Sequence, residues 1–259
     1  MNITIFSKDR ACQLELLLRS MKKYFKECNQ FRISILYTYS NENFRRGYEL
    51  TKQKHPEFNY IKEESFKNNL LSVIDENKKY TTFFVDDNIF KEPFSIEDNE
   101  FKLLENDSVV CLSLRLHPNL TYCYPAKIQQ RKPELIDECI LPWVGKEGDF
   151  GYPMSVDGHI VRTSDIIDML RLNGYSNPNS LEGGLAANPI RKPFMVMYQK
   201  SIIMNNPVNK VQNFNNNVFG DVSQEFINEQ YLDGKIISMS NIDGFENISC
   251  HQEIEVIFE

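Results

Sequence analysis

The chain has 259 residues, a formal net charge of -7, 41% hydrophobic residues and 25% charged residues. That size supports one large α/β domain with a sizeable core. The acidic balance excludes general nucleic-acid binding, which needs a surplus of Lys and Arg against phosphates. Cys12, Cys28, Cys111, Cys123, Cys139 and Cys250 are scattered with no CxxC pair, which suits reduced thiols in a cytoplasm better than a disulfide frame or a zinc site. No apolar run is long enough to span a bilayer, and no secretory leader pattern opens the sequence. The expectation is a cytoplasmic protein, with peripheral contact at the inner face of a membrane left open.

Along the chain, Asn2-Ile3-Thr4-Ile5-Phe6 reads as a strand, with Ser7 or Asp9 placed to cap the helix after it. Leu14, Leu17, Leu18, Met21 and Phe25 recur at helical spacing, so an amphipathic helix is expected over 10–27. A strand follows at 31–38, a polar helix at 43–54 stopped by His55-Pro56, a short strand at 58–62 and a helix at 66–78. The next strand ends at Asp86. This alternation predicts a mostly parallel sheet with helices on its faces and right-handed crossovers. Val109 to Leu114 is another strand. Residues 117–154 hold five prolines and the only tryptophan, Trp143, and read as a long excursion with a binding surface. Helices are expected at 163–173 and 179–187, the second opening on Asn179-x-x-Glu182 in the manner of a capping box. A strand at 194–204, an Asn-rich loop at 205–217, a helix at 221–231 and a last strand-like segment within 234–259 complete the series.

Thr81-Thr82-Phe83-Phe84-Val85-Asp86-Asp87-Asn88 joins an apolar strand to two adjacent carboxylates and an amide. Carboxylates crowded at a strand end repel one another unless a cation sits among them. A divalent ion shared with phosphates is a common remedy, and open α/β sheets bind ligands beyond the carboxyl ends of their strands. A polar turn with an Asx cap is the competing explanation.

Taken together, several segments resemble a GT-A fold glycosyltransferase of the bacterial, family 2-like type. Ile3 to Leu14 is similar to the opening strand, nucleotide loop and first helix of that fold, and Phe83 to Asn88 to its DxD element. Trp143 to His159 and Asn177 to Glu182 are similar to its acceptor region and to the helix carrying a catalytic carboxylate. Asn206 to Gln212 resembles a late loop of bacterial enzymes of this kind. The resemblance implies a Rossmann-like, mostly parallel central sheet with helices on both faces, in a single domain over 1–259. Residues 1–115 would form the nucleotide-sugar half and 116–259 the acceptor half.

It further implies transfer of a sugar from a UDP- or dTDP-type donor to a hydroxyl of a glycan or lipid-linked glycan in surface polysaccharide synthesis. Mn²⁺ or Mg²⁺ would offset the charge of the leaving diphosphate, and a carboxylate would serve as base. Glu182 and Asp157 are the catalytic candidates. Phe6, Ser7, Lys8, Arg10, Tyr39, Asp86, Asp87 and Arg115 are candidates for the nucleotide sugar, and Asp86, Asn88 and His251 for the metal. Trp143, Tyr152 and His159 are candidates for the acceptor. His117 and Lys210 stand beside phosphate candidates, and Gly158 would let backbone approach a sugar.

Asn88 departs from the DxD pattern, since an amide offers a carbonyl oxygen without charge. Each candidate also has a bland alternative. Asp9 would cap a helix beside a solvated Arg10, Glu182 would close its capping box, and a lone histidine would be a satisfied polar group. Two other functions stay open: a sugar nucleotidyltransferase, disfavoured because Ser7-Lys8-Asp9-Arg10 lacks glycine, and a non-catalytic glycan-binding protein on a degenerate transferase fold.

Overall fold

The computed structural model describes residues 1–188, 190–209 and 221–259. Lys210, and the parts of the Asn-rich loop and late-loop resemblance within 210–220, lie outside the described residues.

The first third alternates as its periodicity predicts. β1 (Asn2–Lys8), α1 (Ala11–Tyr24), β2 (Ile33–Thr38), α2 (Glu42–Lys54), β3 (Asn59–Lys62), α3 (Phe66–Val73) and β4 (Tyr80–Val85) follow in order. A short β5 (Asn88–Phe90) and α4 (Asn99–Lys102) lead to β6 (Val109–Ser113). The excursion contains β7 (Tyr122–Cys123), β8 (Ile128–Gln129) and β9 (Ile140–Pro142). β10 (His159–Arg162), α5 (Thr163–Leu172), α6 (Pro178–Ala187), β11 (Phe194–Met197), β12 (Ile203–Asn205) and α7 (Gln224–Leu232) complete the elements.

The main sheet has eight strands in the order β3-β2-β1-β4-β10-β6-β11-β9. β3, β2, β1 and β4 are mutually parallel. β10 enters antiparallel between β4 and β6, β11 returns parallel to β6, and β9 closes the edge antiparallel. This is the expected α/β class with a mostly parallel sheet.

Alternation along β1 feeds two cores. Ile3 and Ile5 pack with Leu14, Leu17 and Leu18 of α1 on one face. Phe6 packs with Phe66 and Leu70 of α3, Ile166 and Leu170 of α5 and Leu181 and Leu185 of α6 on the other. Each such side chain, fully buried, contributes roughly 1.5–3 kcal/mol, which is what fixes the strand ends that carry the site.

Four local expectations are corrected. Neither Ser7 nor Asp9 caps α1: Arg10 is its N-cap residue with no side-chain cap bond. Asp9 instead turns the chain at φ 57° and accepts from the Ser40 amide at 2.7 Å. The capping box of α6 is built two residues earlier than expected. Asn177 accepts from the Ser180 amide while the Ser180 hydroxyl accepts from the Asn177 amide, and Pro178 stands at the favoured first helical position. This leaves Glu182 outside the cap. The strand expected over 194–204 divides into β11 and β12, and β12 pairs antiparallel with β5 in a separate two-stranded sheet. The last segment makes only isolated bridges among the described residues, Asn205 with His251 and Ile237 with Phe258.

Candidate active site

A cavity of about 460 Å³ opens beyond the carboxyl ends of β1 and β4. Topology decides what lines it. β1 and β4 are adjacent and parallel, so Ser7, Lys8, Asp86 and Asp87 emerge at one edge. Because β10 runs antiparallel to β4 and β6, the residues before it, Ser155 to Asp157, arrive at that same edge. The Gly158 amide donates to the Phe83 carbonyl at 2.7 Å, and the Leu114 amide to the Gly158 carbonyl at 3.0 Å. Gly158 itself has φ 66°, and a Cβ there would stand 2.1 Å from Ile203 Cδ1. Its close approach is to the β12 side chain, not to a sugar, which corrects that expectation.

Two arginine–carboxylate clusters face the cavity. In the first, Arg10 Nη1 donates to Asp86 Oδ1 at 3.1 Å and to Asp87 Oδ2 at 3.2 Å. Arg10 Nε donates to Asn209 Oδ1 at 2.8 Å, and Nη2 to the Asn209 carbonyl. The Lys8 amide donates to Asp86 Oδ2 at 3.0 Å. Burial pushes Asp86 up to about 6, with Arg10 opposing that rise. In the second cluster, Arg115 donates to Asp157 Oδ2 at 3.1 Å and to Ser155 Oγ at 2.9 Å, and His251 Nε2 lies 3.7 Å from the same Asp157 oxygen. Burial alone would raise Asp157, but Arg115 and His251 bring it down to about 2. Asn205 bridges the clusters, donating to Asp87 Oδ1 and accepting from Arg115.

Glu182 lines the far wall from α6. Its Oε1 accepts only weakly from the Val156 amide, at 3.3 Å. Burial and then the neighbouring Asp157 charge raise its pKa above the usual carboxylate value, and Arg115 opposes them. A carboxylate held this way takes up a proton more readily than a solvated one, the property a general base needs.

Of the residues singled out from the sequence, Phe6, Ser7, Lys8, Arg10, Asp86, Asp87, Arg115, Tyr152, Asp157, Glu182 and His251 line the cavity. Asn88, Tyr39, Trp143, His159 and His117 do not, and their placement corrects the expectation. Asn88 is fully buried, and its Oδ1 accepts from the Val85 amide at 2.8 Å inside the β4–β5 turn, so its carbonyl oxygen faces away from any metal. Tyr39 stacks near Tyr37 and Tyr48 with Lys62 over its ring. Trp143 donates Nε1–H to the Lys192 carbonyl at 2.7 Å and packs on the second core. His159 is 2% exposed on β10 and bonds the Pro153 carbonyl at 3.0 Å. His117 is likewise spent on the Asn247 carbonyl, at 2.9 Å.

Also on the wall are Tyr124, from the excursion read as a binding surface, and Asn209, from the late-loop resemblance, together with Asn205 and Asp149, which sequence reasoning missed. The only signal was the asparagine cluster at 205–209, whose polar side chains are buried and so must find partners.

The fit of a divalent cation rests on donor chemistry and on a stand-in ion. Among the described residues no three His, Cys, Asp or Glu side chains converge as a ready metal cage. Asp86 and Asp87 nonetheless already share one cation, the Arg10 guanidinium. Mg²⁺-type sites commonly use only one or two carboxylates and complete their shell with phosphate and water. Asp86 and Asp87 fit that pattern; Asn88 does not.

No family model matches the sequence. The bifunctional glycosyltransferase pgtA of Dictyostelium discoideum is 29% identical over 209 residues, 70% of this chain. The match covers 27% of that protein, so the chain spans about a quarter of its relative's length. The chain is similar in sequence to a glycosyltransferase. Among solved structures, Staphylococcus aureus TarS 1–349 in complex with UDP-GlcNAc is 11% identical, with 78% of this chain and 58% of that chain covered at a TM-score of 0.47. The mannosyltransferase PcManGT from Pyrobaculum calidifontis, in complex with GDP-Man and Mn²⁺, is 10% identical, with 76% and 56% covered at a TM-score of 0.38. Likeness at that level bears on neither ligand nor metal here. No helix among the described residues is long and apolar enough to cross a membrane.

Proposed function

We propose that this chain is a GT-A type glycosyltransferase, moving a sugar from a UDP- or dTDP-type donor to a hydroxyl of a glycan or lipid-linked glycan. One observation carries the reading. At the carboxyl edge of the sheet, a single cavity joins buried arginines paired with aspartates to a carboxylate, Glu182, that makes no ion pair among the described residues. The sequence similarity to a glycosyltransferase supports it.

In this reading residues 1–115 supply the donor side. Arg10, Lys8 and Arg115 receive the diphosphate, and Phe6 and Ser7 border the nucleotide. Asp86 and Asp87 would hold Mn²⁺ or Mg²⁺, which when bound supplies Lewis-acid stabilisation of the leaving diphosphate. His251 serves as a partner of Asp157. Asp157 is tied to Arg115 and stays ionised, so its role is to fix that guanidinium. Glu182 takes the proton from the acceptor hydroxyl, which makes the hydroxyl a competent nucleophile. An in-line attack from the side opposite the diphosphate inverts the anomeric centre. Tyr152 offers an exposed ring at the acceptor side, suited to stacking on a sugar face. Surface polysaccharide synthesis is the setting in which such acceptors occur.

The test is a thermal-shift screen of UDP, dTDP and GDP sugars with Mn²⁺, since a ligand that binds only the native state raises Tm. A hit is followed by transfer to a hydroxyl acceptor, with Glu182→Gln as the inactive comparison. The reading is lost if no nucleotide sugar shifts Tm and no donor is consumed.

A further inference from the structure

We propose that Arg10 is a resident cation that keeps the Asp86–Asp87 site closed to a bare metal ion, so that metal and nucleoside diphosphate enter only together. The inference deepens the transferase reading and rests on it.

The guanidinium competes directly. Its Nη1 bonds one oxygen of each carboxylate, at 3.1 Å and 3.2 Å, and a cation bridging those oxygens needs the same lone pairs and the same space. The competitor is held firmly. Arg10 is 8% exposed, and Asn209 grips its other two nitrogens through side chain and backbone. An aquo ion in solution therefore has to shed water, break a buried, charge-assisted network and leave the Arg10 guanidinium without its carboxylate partners.

The diphosphate is blocked for a different reason. The cavity wall carries two buried guanidiniums, Arg10 and Arg115, and an exposed Lys8, against five carboxylates, including Asp149 and Glu182. A bare polyanion entering that field is repelled. Yet the wall also shows donors waiting for an acceptor. Arg115 Nε and Asn209 Nδ2 have no hydrogen-bond partner among the described residues, and their residues are only 4% and 5% exposed. Buried donors are normally satisfied; Asp157 Oδ1 and His251 Nδ1 of the same wall are also without a partner among the described residues, so the wall has bonding capacity of both kinds to offer a ligand that brings a cation and phosphate oxygens together.

A metal–diphosphate pair resolves both obstacles. Asp86 and Asp87 would hold the ion in place of the guanidinium. The released guanidinium, with Arg115 Nε and Asn209 Nδ2, meets phosphate oxygens. Each ligand thus strengthens the other, and the coupling is reciprocal.

The experiment titrates Mn²⁺ into the full chain, wild type and Arg10→Gln, with and without UDP, reading the free ion by electron paramagnetic resonance. Wild type is expected to bind Mn²⁺ roughly tenfold or more tightly when UDP is present. Arg10→Gln is expected to bind Mn²⁺ alone roughly tenfold more tightly than wild type and to gain less from UDP. Asn209→Ala, which loosens the grip on the guanidinium but keeps every charge, moves Mn²⁺ affinity the same way by less and carries the test if Arg10→Gln does not fold. The proposal is overturned if removing or loosening the guanidinium leaves Mn²⁺ binding no tighter. It is equally overturned if bound UDP leaves wild-type Mn²⁺ affinity unmoved. If no nucleotide binds any form, the transferase reading fails, while the Mn²⁺-alone comparison still decides the role of Arg10.

Discussion

Asn205 donates to Asp87 Oδ1 at 2.8 Å through one end of its side-chain amide and accepts from Arg115 Nη1 at 3.4 Å through the other. A side-chain amide carries a donor at one end and an acceptor at the other, so it can face an anion and a cation at once. It sits on β12, whose pairing with β5 places Asn205 opposite Asn88. The residue therefore couples the strand end carrying the aspartates to the loop carrying Arg115.

Asn205→Ala removes both bonds and leaves two charged groups short of a partner. Hydrogen bonds to charged groups contribute about 1.5–3 kcal/mol, so the expected outcome is a loss of roughly 10–100-fold in kcat/KM. Asn205→Asp places a like charge beside Asp87 and is expected to be worse. Steady-state kinetics beside urea unfolding separate the effect on the site from the effect on the fold.

Glu182→Gln is expected to lower kcat by roughly 10²–10⁴-fold, the range for loss of a general base, with little change in Tm. In wild type, burial and the Asp157 charge raise the Glu182 pKa above its ordinary value. A base works when deprotonated, so activity rises with pH through that raised value, and the acidic limb stands above the usual carboxylate range. Asp157→Asn removes one raising charge and shifts the limb to lower pH. A pH–rate profile of the three proteins decides this, and a limb unmoved by Asp157→Asn would exclude the pairing.

His159 gives the fold a dependence on pH of its own. Burial first, and the Arg115 charge second, lower its pKa from 6.5 to about 3. The unfolded chain therefore takes up a proton below about pH 6.5 that the native state refuses until about pH 3. Stability falls as pH drops through that window, by about 1.4 kcal/mol per pH unit from this group. Urea unfolding at pH 7 and pH 4 is expected to show a shallower loss for His159→Gln than for wild type.

Gly158→Ala tests the turn that delivers Asp157. The backbone there has φ 66°, and the added Cβ would meet Ile203 Cδ1 at 2.1 Å. The left-handed conformation costs an L-residue about 1–2 kcal/mol, and overpacking adds about 1–3 kcal/mol. A marked drop in Tm is expected, and an unchanged Tm would show that the β10 entry is less constrained than its geometry implies.

Much of this was legible in the sequence because local rules decide it. Three of the first four strands, β1, β2 and β4, are largely buried runs separated by helical spacing, and the tertiary structure had no reason to override them. The Asp86–Asp87 position at the sheet edge follows from the same alternation. What escaped was set by contacts between distant segments. The Asx-capped turn weighed as the competing explanation is what Asn88 forms with the Val85 amide, but nothing local decides between that turn and a place on the cavity wall. The Asn177-Pro178 start of α6 was readable from Pro at the first helical position, but the Asn179-x-x-Glu182 spacing masked it and made Glu182 look structural. The break between β11 and β12 carries no Gly or Pro, so only the pairing of β12 with β5 reveals it. The ion pairs Arg10–Asp86 and Arg115–Asp157 span 76 and 42 residues, beyond any local pattern.

The antiparallel insertion of β10 between β4 and β6 has a consequence for how the protein can be divided. The expected boundary near residue 115 follows both β4 and β6, which are joined in the sheet only through β10, a strand from beyond it. A fragment cut there would expose the inner flanks of β4 and β6 as bare amide edges, which recruit other chains. The two halves of the cavity are thus interleaved in space although they are consecutive in sequence, and neither can be exchanged for a homologous module without carrying β10 along.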